Sequence, residues 1–363
     1  QRQCGASCHA ARMKTSASTV VRALVPSAKQ PALVPKIGPG SLLASPGGSK
    51  VSPALQVMKR EESVPIYTFG RSALYHDNCL AWLRSREPDS IHSVVTDPPY
   101  GLIEYSEEEK KKLRRGKGGV WRIPPSFDRH TRSPLPRFTI LRPEDIARLR
   151  AFFNEWAKEL LRVVVPGAHV FLASNPLLSY VVSSCLADAG FERRGEIVRL
   201  VMTMRGGDRP KNAHEEFSDV SVMPRSMWEP WLLYRRPLDG RVQDNLRRWK
   251  TGGLRRVSST SPFGDVIKSQ PTRAAERVLA PHPSLKPQAF LRQLVRASLP
   301  LGEGTVLDPF AGSGSTLAAA EAVGYASIGV EMDRKFAAMA EKAIPALEKF
   351  SCCLLYTSDA ADE

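Results

Sequence analysis

Thr305-Val306-Leu307-Asp308-Pro309-Phe310-Ala311-Gly312-Ser313-Gly314-Ser315-Thr316 carries a short apolar run into a glycine turn and out into a helical pattern. Thr305–Leu307 reads as a buried strand and Thr316–Val323 as the helix after it, closed by Gly324 where a left-handed cap residue is expected. A strand feeding a helix through such a turn is a building unit of an α/β sheet. Gly312 and Gly314 let backbone approach a ligand, and a helix N-terminus presents N–H groups and partial positive charge to a carboxylate or phosphate. Glu331 follows the next strand, Ala326–Val330, at the place where an acidic residue accepts hydrogen bonds from ribose hydroxyls.

Working outward, strand-like and helical segments alternate. Further strands are expected at Ser72–His76, Ile91–Thr96, Ala168–Ala173, Ile197–Met204 and Trp231–Arg235, and helices at Pro143–Leu161, Leu177–Ala189 and Gln288–Ser298. Gly190 caps the second of these helices as Gly324 caps the one after the glycine turn. Two stretches break the alternation: 103–142, with Lys110–Lys117 behind three glutamates, and Leu238–Pro281, rich in arginine. Both are expected over one edge of the sheet, where loops carry function.

The turn lacks the lysine of a phosphate-binding loop, and no third glycine completes a dinucleotide fingerprint. An adenosine-bearing ligand with a small anionic end remains, a description that S-adenosylmethionine fits. A second motif, Asp97-Pro98-Pro99-Tyr100, follows the strand that ends at Thr96. Two prolines fix φ and lack N–H groups, leaving the Pro98 carbonyl to accept a bond from outside. Asp97 supplies a second acceptor, so the pair can hold both protons of an exocyclic amine, while the Tyr100 ring offers a stacking face for the attached base.

The chain has 363 residues, 42% of them hydrophobic, and 52 basic against 37 acidic residues give a net charge of +15. Residues 1–60 hold nine of the basic residues and no acidic one, so the rest carries a moderate excess, compatible with a polyanionic partner. The apolar stretch from Val163 to Val182 is interrupted by Pro166, His169, Asn175 and Pro176 and does not read as a membrane span. Six cysteines, at 4, 8, 79, 185, 352 and 353, form no CxxC pair and have no histidine at ligand spacing, so no metal is expected. Residues 1–57 are expected to be a disordered basic tail, with Met58 as the native start; an organelle transit peptide is the second reading. Residues 351–363 read as an appended tail, leaving 58–350 as the folded domain.

On these motifs the chain resembles the amino-methylating DNA methyltransferases of the adenine-N6/cytosine-N4 family, over about residues 66–345. Asp97-Pro98-Pro99-Tyr100 resembles the family's catalytic motif, and Asp308, Phe310, Ala311, Gly312, Ser313, Gly314, Ser315 and Thr316 fall in its cofactor motif. His282-Pro283-Ser284-Leu285-Lys286-Pro287 is similar to the segment that helps enclose S-adenosylmethionine, which carries cofactor roles onto Ser284 and Lys286. Asp77, in Tyr75-His76-Asp77-Asn78-Cys79, matches an acidic residue near the cofactor adenine. The order, catalytic motif first, is that of the β group. The resemblance implies a circularly permuted, Rossmann-like methyltransferase fold: a mostly parallel seven-stranded sheet with one antiparallel strand and an inserted target-recognition region. Residues 238–281 occupy that place, and Arg241, Arg247, Arg248, Lys250, Arg255 and Arg256 around Trp249 suit contacts to double-stranded DNA. A solvated basic loop is the alternative for any one of them.

The implied reaction is methyl transfer from S-adenosylmethionine to N6 of a flipped-out adenine, to which Asp at the first motif position points. Cytosine N4 is the alternative, and a non-catalytic DNA-binding protein of the same fold the further one. A cytoplasmic, nucleoid-associated enzyme is expected, with a homodimer left open.

Overall fold

The computed structural model describes residues 64–99, 143–201, 209–210, 212–222, 224 and 227–352, and the elements that follow belong to these. Tyr100, Lys110–Lys117, the tail 1–57 and most of 351–363 lie outside the described residues, as does the end of the expected Ile197–Met204 strand.

The strands are β1 (Tyr67–Phe69), β2 (Ser72–His76), β3 (Ile91–Thr96), β4 (Val164–Ala173), β5 (Glu192–Leu200), β6 (Trp228–Arg235), β7 (Val266–Lys268), β8 (Thr305–Asp308) and β9 (Ala326–Glu331). They form one sheet in the order β1-β2-β9-β8-β3-β4-β6-β5-β7. Strands β2, β9, β8, β3 and β4 run parallel; β6 lies antiparallel between β4 and β5. These seven are the expected sheet with its one reversed strand. The count is nine rather than seven because a three-residue strand is added at each edge. β1 folds back on β2 through a two-residue turn with Gly70 at positive φ, and β7 pairs with Val198–Leu200. Neither edge segment is long enough to show a period in sequence.

Strand β4 buries all ten of its residues, which suits a central strand covered on both faces and accounts for its near-continuous apolar run. The helices are α1 (Cys79–Ser85), α2 (Pro143–Val163), α3 (Ser179–Ala189), α4 (Val242–Trp249), α5 (Ala274–Leu279), α6 (Gln288–Ser298), α7 (Ser315–Val323) and α8 (Arg334–Glu348). Leu149, Phe153, Trp156 and Leu160 recur at helical spacing along α2 and bury one stripe with Trp82 of α1 and Val181 and Leu186 of α3 against one face of the sheet. The other face is covered by Phe290, Leu291, Leu294 and Val295 of α6 and Ala319 and Ala320 of α7, with α8 packed on α7. Gly190 and Gly324 take the left-handed conformation expected of them.

One buried polar side chain decides where the arginine-rich stretch goes. Asn245 of α4 is fully buried and donates through Nδ2 to the carbonyls of Pro166 (3.0 Å) and Thr251 (2.8 Å), while its Oδ1 accepts from Asp239 N–H. Pro166 stands near the start of β4, so α4 is fastened to the amino ends of the parallel strands. Among the described residues no helix is long and apolar enough to cross a membrane.

Candidate active site

Strands β3 and β8 are neighbours, with Ser93 opposite Val306 and Val94 opposite Leu307, so Asp97 and Asp308 emerge at the same end of the sheet. Thr96 Oγ1 donates to Asp308 Oδ1 at 2.6 Å, and the Phe310 N–H donates to the same oxygen at 3.1 Å. Thr316, at the start of α7, adds a side-chain hydrogen bond. Asp308 thus ties β3, the turn and the helix together. Burial pushes its carboxyl up to about 6 despite these donors. Its pKa is therefore higher in the folded than in the unfolded chain, so its stabilising contribution is present below the ordinary value of 3.8 and is lost as pH rises through about 6. Between pH 3 and pH 8 the stability of Asp308→Asn relative to the parent is expected to shift in favour of the variant by about 2–3 kcal/mol, whatever the offset its altered hydrogen bonding sets. Urea denaturation at the two pH values checks this, and equal effects at both would contradict it.

The two turn glycines are needed for different reasons. Gly314, at φ +77°, has no room for a Cβ, which would come 2.5 Å from Ile344 Cγ1 of α8. Packing alone demands glycine there. Gly312, at φ +53°, faces the ring of His282, whose Nε2 would lie 3.1 Å from an added Cβ. The start of the His282–Pro287 segment therefore lies beside the turn. The ring packs edge-on to Phe336 at 4.4 Å, and Nδ1 accepts from the exposed Ser284 N–H. Burial and the Lys286 charge pull the His282 pKa down to about 4, so the ring is neutral at pH 7.

Helix α7 opens after Gly314 with no side-chain cap, leaving its first-turn N–H groups to an external acceptor. Ser313 is buried beside Ser315, Ala311 N–H bonds to Val330, and Phe310 leans on Phe152 and Trp156 of α2. Glu331 accepts from Gly312 N–H and Asp333 N–H, each at 2.7 Å, and burial raises its pKa. Each of its oxygens retains acceptor capacity for a hydroxyl. Asp77, just past β2, bonds through its N–H to the Glu331 carbonyl. The turn, Glu331 and Asp77 thus come together at the ends of β8, β9 and β2, and they fit a ligand with an anionic group at α7 and hydroxyls at Glu331.

Lys286, to which the resemblance gives a cofactor role, lies against Asp97. Its Nζ donates to Asp97 Oδ2 at 2.6 Å and lies 3.1 Å from Glu229 Oε1. Glu229, on β6, accepts from Arg199 Nη1 of β5 at 2.9 Å and from Trp231 Nε1 at 3.2 Å. Burial works against the Lys286 charge, but Asp97 and Glu229 outweigh it and raise its pKa. Burial likewise opposes the Glu229 charge, yet Lys286 and Arg199 hold that carboxyl well below its ordinary value. Sequence reading missed both Glu229 and Arg199. The available signal was an acid beside the apolar run Trp231–Tyr234, since a charge in a buried strand requires a partner. Pro98 is buried and Pro99 exposed, and Tyr100 lies outside the described residues.

The arginines expected at DNA do not join this site. Arg241 and Arg247 pair with Asp244, and Arg248 pairs with Asp239 beside the Trp249 ring. Lys250 ends α4 at φ +61°. Arg255 donates to the Tyr325 hydroxyl at 2.6 Å and Arg256 to the Thr260 carbonyl at 2.9 Å. Tyr325 precedes β9, and Ala297, which accepts from Arg255 N–H, ends α6, so this group lies at the amino ends of the parallel strands. Placing all of 238–281 above the site is corrected: only its later part, from β7 onward, returns to the carboxyl ends. Chain order between two motifs does not say at which end of a sheet the intervening segment packs.

A family model described as DNA methylase, of the N6/N4 type, matches residues 91–342. The type II methyltransferase M2.DpnII of Streptococcus pneumoniae is 21% identical over 284 residues, spanning 78% of this chain and 92% of that protein. The type II methyltransferase M.HindIII of Haemophilus influenzae is 22% identical over 285 residues, spanning 71% and 90%. Among solved structures, the cytosine-N4-specific PvuII DNA methyltransferase shares the fold, with a TM-score of 0.51 at 15% identity over 80% of this chain and 90% of that one.

Proposed function

From the premise that this chain belongs to the N6/N4 DNA methylase family, we propose that it methylates N6 of an adenine flipped out of double-stranded DNA, with S-adenosylmethionine as cofactor. The observation that carries this reading is Asp97, a carboxylate at the end of β3, set one strand away from the uncapped N-terminus of α7. The cofactor supplies an electrophilic methyl on sulfonium sulfur. Asp97 and the Pro98 carbonyl would accept hydrogen bonds from the amine, favouring a pyramidal, nucleophilic nitrogen; transfer would release the cofactor as a neutral thioether, and the methylated nitrogen would shed a proton to solvent. No enzyme nucleophile is called for: Cys79 is buried, and its thiol is pushed up to about 12.

The same arrangement serves cytosine N4, so the identity of the product decides. Duplex DNA of varied sequence, tritiated S-adenosylmethionine and nucleoside chromatography are expected to give N6-methyladenine. Label in cytosine moves the reading to N4, and label in neither base supports a non-catalytic protein.

DNA contacts are assigned to loops at the carboxyl ends of the parallel strands. Replacing Arg241, Arg247 and Arg248 together by Ala is expected to leave the slope of log affinity against log salt unchanged, whereas three lost phosphate contacts would flatten it by about 2.7. A flatter slope would place DNA at the other end of the molecule.

A further inference from the structure

The site contains a line of four charges, two of them buried and two half-buried, that recognition of an amine does not require. Asp97, just past β3, meets Lys286, which meets Glu229 of β6, which meets Arg199 of β5. Lys286 and Arg199 are 8% and 5% exposed, and the line continues from Arg199 Nε to Ser269 Oγ and from Arg199 Nη2 to the Gln270 carbonyl. Well-packed apolar side chains commonly stabilise a core as well as a buried ion pair does, so such a pair is weak evidence of a stabilising role. This line ends on the carboxylate that the methyl-transfer reading places at the reacting amine.

We propose that Lys286 is the positioning residue for Asp97, fixing the rotation of its carboxylate and holding it ionised, and that Glu229 and Arg199 hold Lys286 in place. The inference rests on the methyl-transfer reading for its consequence but on geometry for its content. The lysine ammonium is clamped between two carboxylates on different strands, so its reach toward Asp97 is set by the spacing of β3 and β6 rather than by its own flexible stem. The groups that face it from neighbouring elements include Asp308 of β8 on Asp97, Arg199 on Lys286, and the His282 ring, neutral at pH 7, which Lys286 also faces. Asp308 opposes ionisation of Asp97; Lys286 favours it.

Two readouts on the full chain test this. In Lys286→Met, carboxyl-carbon NMR of Asp97, assigned with Asp97→Asn, is expected to titrate about one pH unit or more higher than in the parent, because a neighbouring cation lowers an aspartate by 1–3 units. The single-turnover rate of methyl transfer is expected to fall roughly 100-fold, the loss that small misplacement of a reacting group produces. Its acid limb should move to higher pH, while S-adenosylmethionine affinity stays within a few-fold of the parent. Lys286→Arg, which keeps the cation, should restore the low Asp97 titration and part of the rate. If Lys286→Met does not fold, the double variant Lys286→Met with Glu229→Gln, which removes one charge of each sign, carries the same expectation. An unmoved Asp97 titration overturns the proposal, and cofactor affinity lost in proportion to rate assigns Lys286 to the cofactor instead. Should the parent methylate neither base, the functional reading fails while the Asp97 titration still judges the positioning role.

Discussion

Asp97→Ala is expected to lower methyl transfer by at least about 10³-fold, the scale on which a single preorganised polar contact to the reacting centre acts. S-adenosylmethionine affinity should change little, because none of the hydrogen bonds that shape the glycine turn involves Asp97: those come from Asp308, Glu331 and the backbone. The variant removes one of the two carboxylates around Lys286 and leaves Glu229 at 3.1 Å, so the fold should survive with a modest loss. Asp97→Asn, which keeps the shape and one acceptor, should retain more cofactor-bound order but still transfer slowly. Tritium transfer at single turnover, with calorimetry for the cofactor, separates the two effects. Full activity in Asp97→Ala would refute the mechanism.

Glu229→Ala is expected to cost about 3–5 kcal/mol of stability, the range for removing one member of a buried ion pair. Glu229 is the shared anion of Lys286 and Arg199, and without it Arg199 keeps, among the described residues, the neutral partners Ser269, the Gln270 carbonyl and the Phe290 ring. The carboxyl is depressed below its ordinary 4.5, to about 2, so its contribution is present above the ordinary value and is lost as pH falls toward 2. The destabilisation should therefore be full at pH 7 and shrink in acid. Urea midpoints at pH 7 and pH 3 measure it, and a midpoint unmoved at pH 7 would show that the line of charges carries no stability.

What was legible in the sequence was local. The helix Gln288–Ser298 has the bounds that its sequence predicts, because its apolar residues recur at helical spacing and Pro287 marks its start. The strand beginning at Glu192 was expected only from Ile197, since Arg193 and Arg194 are exposed and Gly195 breaks the register with a bulge. Nothing in the sequence marks α4 as a helix within the arginine-rich stretch expected at DNA, because its fastening is Asn245, a polar residue whose partners, Pro166 and Thr251, no period can reveal. The site divided in the same way. The glycine turn, Asp77, Glu331 and Asp97 lie in short motifs with a chemical reason for each residue. Glu229 and Arg199 lie inside strands, and only the pairing of β6 with β5 and the approach of Lys286 give them meaning.

The hydrogen bond from Thr96 to Asp308 spans 212 residues of chain. During synthesis at about 5–20 residues per second, β3 waits roughly 10–40 s for the strand that will lie beside it. Through that interval β3 is a hydrophobic strand with one side open to any other chain, the condition that invites wrong pairing. Contacts so distant in sequence also slow the final closure. Yield of active protein should consequently depend more on translation rate and on chaperones that shield strand edges than the stability of the finished sheet would suggest.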